Sequence, residues 1–171
     1  ECEGWEADDV IGTVARVCTE AAWDCVIVTG DRDSLQLVGD RVTVKLVITK
    51  SGQTTSTNYT PQLFQAEYGF APPILVDLKA LMGDHSDNIP GVAGVGPKSA
   101  TELLLRFGTL AGIYENLQDD TIRPKLREKL EAGREMAFLS YELATIRTDA
   151  PIVFVPEACR CQEPDRAALC E

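Results

Sequence analysis

The spacing of apolar positions changes twice along the chain. Val10, Ile11, Val14, Val17, Cys18 and Ala21 recur at helical spacing and predict a helix over residues 6–22. Cys25-Val26-Ile27-Val28-Thr29 is a short continuous apolar run, the pattern of a buried parallel strand. Ser34–Val38 predicts a short helical turn, and Val42–Ile48 alternates as a strand does. Ser51–Asn58 is polar, carries Gly52 and reads as a turn, with a strand resuming at Tyr59-Thr60. Thr60-Pro61 pairs an N-cap with a first-turn proline and opens a helix that stops at Gly69. Pro73–Met82 packs Leu75, Leu78 and Leu81 and ends at Gly83. After Gly83 the pattern is helical throughout: Pro97–Phe107, residues 109–117, Arg123–Ala132 and Arg134–Arg147. Residues 150–164 hold Pro151, Pro156 and Pro164 and read as extended. The pattern predicts an α/β fold. A partial parallel sheet with flanking helices occupies residues 1–76, an all-helical part residues 77–150, and a tail residues 151–171.

Composition narrows this picture. At 171 residues and 44% hydrophobic content, the chain is long enough for one packed domain, with or without a small appendage. It contains no apolar run of about 18 residues, so no membrane-spanning helix is expected. Glu1-Cys2-Glu3-Gly4-Trp5-Glu6 has neither an initiator methionine nor the apolar stretch of a signal peptide, and reads as cut from something longer. Among the 6 cysteines, Cys159-x-Cys161 lacks the second pair that a zinc site needs, and reduced intracellular thiols are expected. A net charge of −11 argues against a simple basic nucleic-acid binder. The acidity is uneven: residues 1–94 carry 6 Lys and Arg against 14 Asp and Glu, the remainder 10 against 13.

Much of the acid lies in three short clusters: Glu6/Asp8/Asp9 at a predicted helix start, Asp31/Asp33 after a predicted strand, and Asp84/Asp87 after a predicted helix. A helix cap needs one acceptor, and three acids in four residues exceed that need. Loop ligands gather at the carboxyl ends of strands in open α/β sheets. Clustered carboxylates repel one another unless a cation repays the cost. Oxygen donors without Cys suit Mg²⁺ or Mn²⁺, and two such ions would serve phosphodiester hydrolysis. His85 reads as an exposed spacer between two ligands.

The adjoining Gly91-Val92-Ala93-Gly94-Val95-Gly96-Pro97-Lys98-Ser99 joins two predicted helices. A glycine hairpin of this kind brings backbone amides against phosphate, and Lys98 adds a point charge. Such contacts carry no base information, so binding would be sequence-independent. Arg106, Arg123, Lys125, Arg127 and Lys129 supply either further backbone contacts or an ordinary solvated face.

Three blocks carry a resemblance: Glu6-Ala7-Asp8-Asp9, Thr29-Gly30-Asp31-Arg32-Asp33 and Gly83 to Val92. They resemble the signature motifs of the 5′→3′ exonuclease/flap endonuclease family. Gly94 to Ala100 is similar to that family's helix–hairpin–helix, and Glu163-Pro164-Asp165-Arg166 to the segment leaving the nuclease domain of bacterial DNA polymerase I. The resemblance implies a PIN/resolvase-like core and a two-metal nuclease acting on DNA 5′ ends and flaps in replication and repair. Glu6, Asp8 and Asp9 would serve the first metal and its water. Asp31 would lie near or be shared with that metal, and Asp33, Asp84 and Asp87 would serve the second. Gly91, Val92, Gly94, Val95, Gly96, Lys98 and Ser99 would grip duplex DNA, with K⁺ on backbone oxygens around residues 91–96. It further implies a bacterial cytoplasmic protein with a DNA polymerase domain on the same parent chain. The family's N-terminal strand, with one more metal-binding aspartate, and its cationic arch have no counterpart before Glu6. The chain is therefore expected to be a fragment with impaired activity, a bare sheet surface and a tendency to self-associate. The competing expectation is a non-catalytic duplex-binding module.

Overall fold

The computed structural model describes residues 2–161, 163 and 164; residues 162 and 165–171 of the expected tail lie outside them. The first helix, α1 (Ala7–Glu20), buries Gly12, Thr13, Ala15 and Cys18 on one face. It leads into β1 (Cys25–Thr29) and a 3-10 turn, Asp33–Leu37; a second 3-10 turn, Pro156–Cys159, interrupts the tail expected to be extended. Strands β2 (Val42–Lys50) and β3 (Gln53–Tyr59) complete a sheet of order β1-β2-β3. The pairing of β1 with β2 is parallel, from Cys25–Val42 to Thr29–Leu46, whereas β2 and β3 are antiparallel, from Val44–Tyr59 to Lys50–Gln53.

Two expectations change. Ser51–Asn58 is not a turn but mostly β3, and the turn shrinks to Ser51 (φ 52°) and Gly52 (φ 78°). Paired positive φ values match the twist of a tight hairpin. The strand is legible only from pairing, because every β3 residue except Tyr59 is exposed and so shows no apolar alternation. Strand β1 is also less buried than a continuous apolar run suggests. Ile27 is buried, but Val26 and Val28 are 62% and 65% exposed, leaving one face of β1 bare.

Six helices follow the sheet closely in sequence. Thr60 caps α2 (Pro61–Tyr68) by accepting from Leu63 N–H, and Gly69 ends it at φ 83°. Then come α3 (Ile74–Met82), α4 (Pro97–Phe107), α5 (Leu110–Glu115) and α6 (Pro124–Ala132). The last, α7 (Arg134–Ala144), ends three residues before the predicted Arg147. One buried cluster runs from Ile27, Leu46 and Phe64 through Leu81 to Leu104, Ile113 and Leu130. Each such side chain contributes about 1.5–3 kcal/mol through burial.

The chain after α7 returns to the sheet side. Gln36, buried in the 3-10 turn, donates to Ala144 O (3.1 Å) and accepts from Ile146 N–H (3.0 Å). Thr13 Oγ1 accepts from Ala150 N–H at 3.0 Å while donating to Asp9 O at 2.7 Å. Gly12 lies under Ile146 and Arg147, where an added Cβ would meet Ile146 Cγ2 at 2.8 Å. All but the Thr13–Asp9 bond span more than a hundred residues, and they tie α1 and the 3-10 turn to the end of α7 and the chain that follows it.

Candidate active site

Each acidic cluster is shaped locally before it is assembled. Glu6 is the N-cap of α1, and its N–H donates to Asp9 Oδ2 at 3.1 Å. Asp9 Oδ1 accepts from Arg147 N–H at 2.8 Å, so both oxygens of Asp9 are taken by backbone donors. The Arg147 guanidinium stacks 3.8 Å from the Trp5 ring centroid and covers this junction. After β1, Thr29 Oγ1 accepts from Asp31 N–H (3.0 Å) and Asp31 Oδ1 from Asp33 N–H (2.9 Å). The third cluster sits in a loop whose ends pair: Asp84 N–H to Ile89 O at 2.9 Å and Ile89 N–H to Asp84 O at 2.8 Å.

The fold brings the clusters together. Glu6, Asp8, Asp9, Asp31, Asp33 and Asp87 line one cleft of about 350 Å³, walled on the far side by Leu143–Ile146. Asp84 is not part of that lining, but carboxylate oxygens of Asp33, Asp84 and Asp87 lie within 4.8 Å of one another. His85 is exposed.

One charged residue at the site is not among those the motifs single out. Lys79 of α3 is only 6% exposed, and its ammonium pairs with Asp33, with Asp84 at 2.7 Å and with Asp87 at 3.3 Å. It was legible in one respect, as a lysine between Leu75, Leu78 and Leu81 on a helix buried on most sides. A buried lysine requires anionic partners.

The electrostatics follow from burial and crowding. Asp8 is shifted upward by burial, then by the charges of Asp31, Glu6, Asp9 and Asp87. Asp33 is pushed up to about 6: burial outweighs the pull of Lys79, and Asp31 and Asp87 add to it. Burial also works against the charged form of Asp84, but hydrogen bonds from Lys79 and Ser86 overcome it and bring the group down to about 2. Lys79 is held above the ordinary lysine range, since Asp33 and Asp84 together outweigh its burial. Among the described residues, no Lys, Arg or His forms an ion pair with Glu6, Asp8 or Asp31. A cleft of crowded carboxylates, three of which share one ammonium, fits a hard divalent cation with oxygen ligands.

The hairpin abuts this cleft through backbone packing. An added Cβ on Gly91 (φ 62°) would meet Gly83 N at 2.2 Å, and one on Gly83 (φ 75°) would meet Ile89 O at 2.8 Å. Only glycines permit that approach. Gly91 N–H donates to Ser140 Oγ (3.0 Å) and Val92 N–H to Leu81 O (2.8 Å), and the Val92 and Val95 side chains are buried. Gly94, Gly96 and Lys98 are exposed and Ser99 is partly so. Among the described residues, the N–H groups of these four have no protein acceptor. They open α4, where the helix dipole favours an anion.

Comparison with known proteins matches residues 1–69 to the family model described as 5′-3′ exonuclease, N-terminal resolvase-like domain. Residues 70–167 match that described as 5′-3′ exonuclease, C-terminal SAM fold. The chain is 48% identical over 171 residues to DNA polymerase I of Caldicellulosiruptor bescii, covering all of this chain and 20% of that protein. It thus spans about a fifth of the length of that curated relative. Among solved structures, a bacteriophage T5 protein co-crystallised with metal ions superposes with a TM-score of 0.72 at 24% identity, over 86% of this chain and 52% of that one. The T5 flap endonuclease in a pseudo-enzyme–product complex with DNA and metal ions gives 0.70 at 25% identity, over 85% and 51%. The chain belongs to the 5′-3′ exonuclease family.

Proposed function

We propose that this chain supplies most of the catalytic site of a 5′-nuclease that hydrolyses phosphodiester bonds at DNA 5′ ends and flaps. The observation that carries the reading is the cleft itself: acids from α1, from the loop after β1 and from the loop after α3 line one space beside a hairpin with unsatisfied amides. Glu6, Asp8 and Asp31 would hold one Mg²⁺ or Mn²⁺ ion, with Asp9 fixing the start of α1 and ordering water. Asp33, Asp84 and Asp87 would hold the other, with Lys79 setting their spacing beforehand. Bound there, the pair of ions would lower the pKa of a water and stabilise the leaving oxygen. Gly94, Gly96, Lys98 and Ser99 would position the DNA backbone, while Gly91, Val92 and Val95 would keep the hairpin folded behind them. A K⁺ ion would suit the carbonyls of Gly91 and Val95, which have no donor among the described residues.

In this reading residues 1–76 are the partial nuclease core, 77–150 the helical DNA-binding part, and 151–171 the lead toward a polymerase domain. The bare Val26/Val28 face of β1 supports self-association of the isolated chain. No helix among the described residues is long and apolar enough to cross a membrane. A purely structural role for the acids, as in a non-catalytic duplex-binding module, leaves Glu6, Asp8 and Asp31 crowded without compensation.

The test is single-turnover cleavage of a labelled 5′-flap substrate in Mg²⁺ by the full-length protein and by its Asp33→Ala/Asp87→Ala variant, with duplex affinity measured in parallel. Loss of cleavage by at least about a hundredfold with retained duplex binding is expected, in line with removal of a metal-borne term of several kcal/mol. Undiminished cleavage by the variant overturns the reading.

A further inference from the structure

A second cleft, of about 680 Å³, lies between α4 and α6 on the hairpin side, away from the acidic cleft. Its lining includes the cations Arg106, Arg123, Lys125 and Lys129, with Glu102 its one acid, beside Gly94, Ser99 and Thr121. The floor is apolar, formed by Leu103, Phe107, Ile122 and Leu126. In a chain of net charge −11, four cations facing one acid are a marked local reversal of sign.

These cations are only weakly compensated. Arg106 approaches Asp119 at 3.9 Å, an exposed pair of little energetic weight, and lies 5.7 Å from the Phe107 ring centroid. Among the described residues Arg123, Lys125 and Lys129 form no ion pair. Lys129 reaches out of α6 to donate to Gly94 O at 2.8 Å, and a Cβ on Gly94 (φ 76°) would meet its Nζ at 2.7 Å. That hydrogen bond ties α6 to the hairpin and fixes one positive charge at the point where cleft and hairpin meet. The other ammonium protons of Lys129 remain available to an acceptor.

We infer that the α4–α6 cleft is a second phosphate-binding track, continuous through Gly94 with the hairpin, which holds the next stretch of the same duplex backbone. The inference rests on the nucleic-acid reading given above. Polyanion character follows from four cations on the lining of one open groove with a single acid among them. Backbone recognition follows from continuity with the hairpin through Gly94, since a groove that carries on from amide–phosphate contacts follows the phosphates, which long flexible cations neutralise. An apolar floor accommodates the C–H faces of deoxyribose between phosphates. The remainder of this acidic chain repels the same polyanion, which confines it to the groove.

The experiment measures duplex-DNA affinity of the 171-residue chain by fluorescence anisotropy across a KCl series, with Mn²⁺ binding followed by calorimetry. Arg123→Ala/Lys125→Ala should lower the slope of log affinity against log salt by about 2, near one unit for each phosphate no longer neutralised, for every duplex sequence. Its Mn²⁺ binding and thermal midpoint should stay unchanged, and the charge-preserving Arg123→Lys/Lys125→Arg should keep the wild-type slope. An unchanged slope in the alanine variant, on duplex that the wild type binds, overturns the second track and leaves the nuclease reading intact. Absence of any salt-dependent duplex binding by the wild type overturns both. Displacement of duplex by poly-glutamate at equal charge concentration also overturns the inference, since the groove would then accept an acidic polypeptide equally well.

Discussion

The acidic cleft and the glycine hairpin lie side by side but are built in opposite ways. The cleft is made of side chains from positions as distant as Glu6 and Asp87, together with a wall at Leu143–Ile146. Its geometry exists only when Gln36, Thr13 and Asp9 have closed their long-range bonds to residues 144–150. The hairpin is made of main chain within about ten consecutive residues, and its chemistry is that of bare amides at a helix start. One site depends on tertiary assembly and on charge, the other on local φ values and on the absence of side chains. They meet at Gly83 and Gly91, whose backbones touch where no Cβ fits.

The sharpest way to break this comparison is at that weld. Gly91→Ala places a Cβ 2.2 Å from Gly83 N at a positive φ, against main chain that has no room to yield. A loss of at least about 3 kcal/mol is expected from strain and overpacking together. Urea unfolding should show it, and Mn²⁺ and duplex binding should weaken together, because the two regions share this junction. A variant that loses only one of the two would show that they are mechanically separate.

A smaller effect should appear on the acidic side alone. Lys79→Met removes the cation shared by Asp33, Asp84 and Asp87, which lie at 19%, 21% and 44% side-chain exposure. Stranding partly solvated carboxylates should cost about 2 kcal/mol in EDTA, below the value for a fully buried pair. Added Mn²⁺ should recover part of that loss, because an ion bound only by the folded state stabilises it by about 1.4 kcal/mol per tenfold excess over Kd. Thermal melts with and without Mn²⁺ measure the difference. An equal deficit in both conditions would remove Lys79 from the cation site.

The smallest effect concerns α3, which serves both regions. Asp77, 4% exposed, accepts from Leu110 N–H at 2.7 Å and fixes the start of α5. Asp77→Ala should cost about 1–2 kcal/mol by leaving that donor unsatisfied. Asp77 is shifted upward chiefly by burial, against the lowering effect of its backbone hydrogen bonds. A carboxyl whose folded pKa lies above its unfolded one contributes stability below the ordinary carboxylate range, and loses it as pH rises through the raised value. Asp77→Asn should therefore flatten the stability–pH curve above pH 4. Urea midpoints at pH 4 and pH 7 that fall equally in wild type and variant would contradict this.

Helices were largely legible because their signals are local. Thr60-Pro61 with Gly69, and Pro97 with Gly108, mark starts and stops that the structure keeps. Strand β3 was not legible, because a solvated edge strand carries no apolar alternation and is defined by its hydrogen bonds to β2. The exposure of Val26 and Val28 was hidden for the converse reason: an apolar run states a preference for burial, not whether a neighbour is there. Among the acids, the three clusters could be named from spacing, but the preoccupation of Asp9 with two backbone donors could not. Nor could the insertion of Lys79 among Asp33, Asp84 and Asp87.

The amino-acid sequence by itself determined the helices, the glycine positions where the main chain must approach or turn, and the supply of carboxylates. Those are properties of a residue and its near neighbours along the chain. Tertiary structure alone decided which carboxylates share a cleft, which are consumed by internal donors, and which cation stands among them. Coulomb interaction and hydrogen bonding fall steeply with distance in space and take no account of separation along the chain.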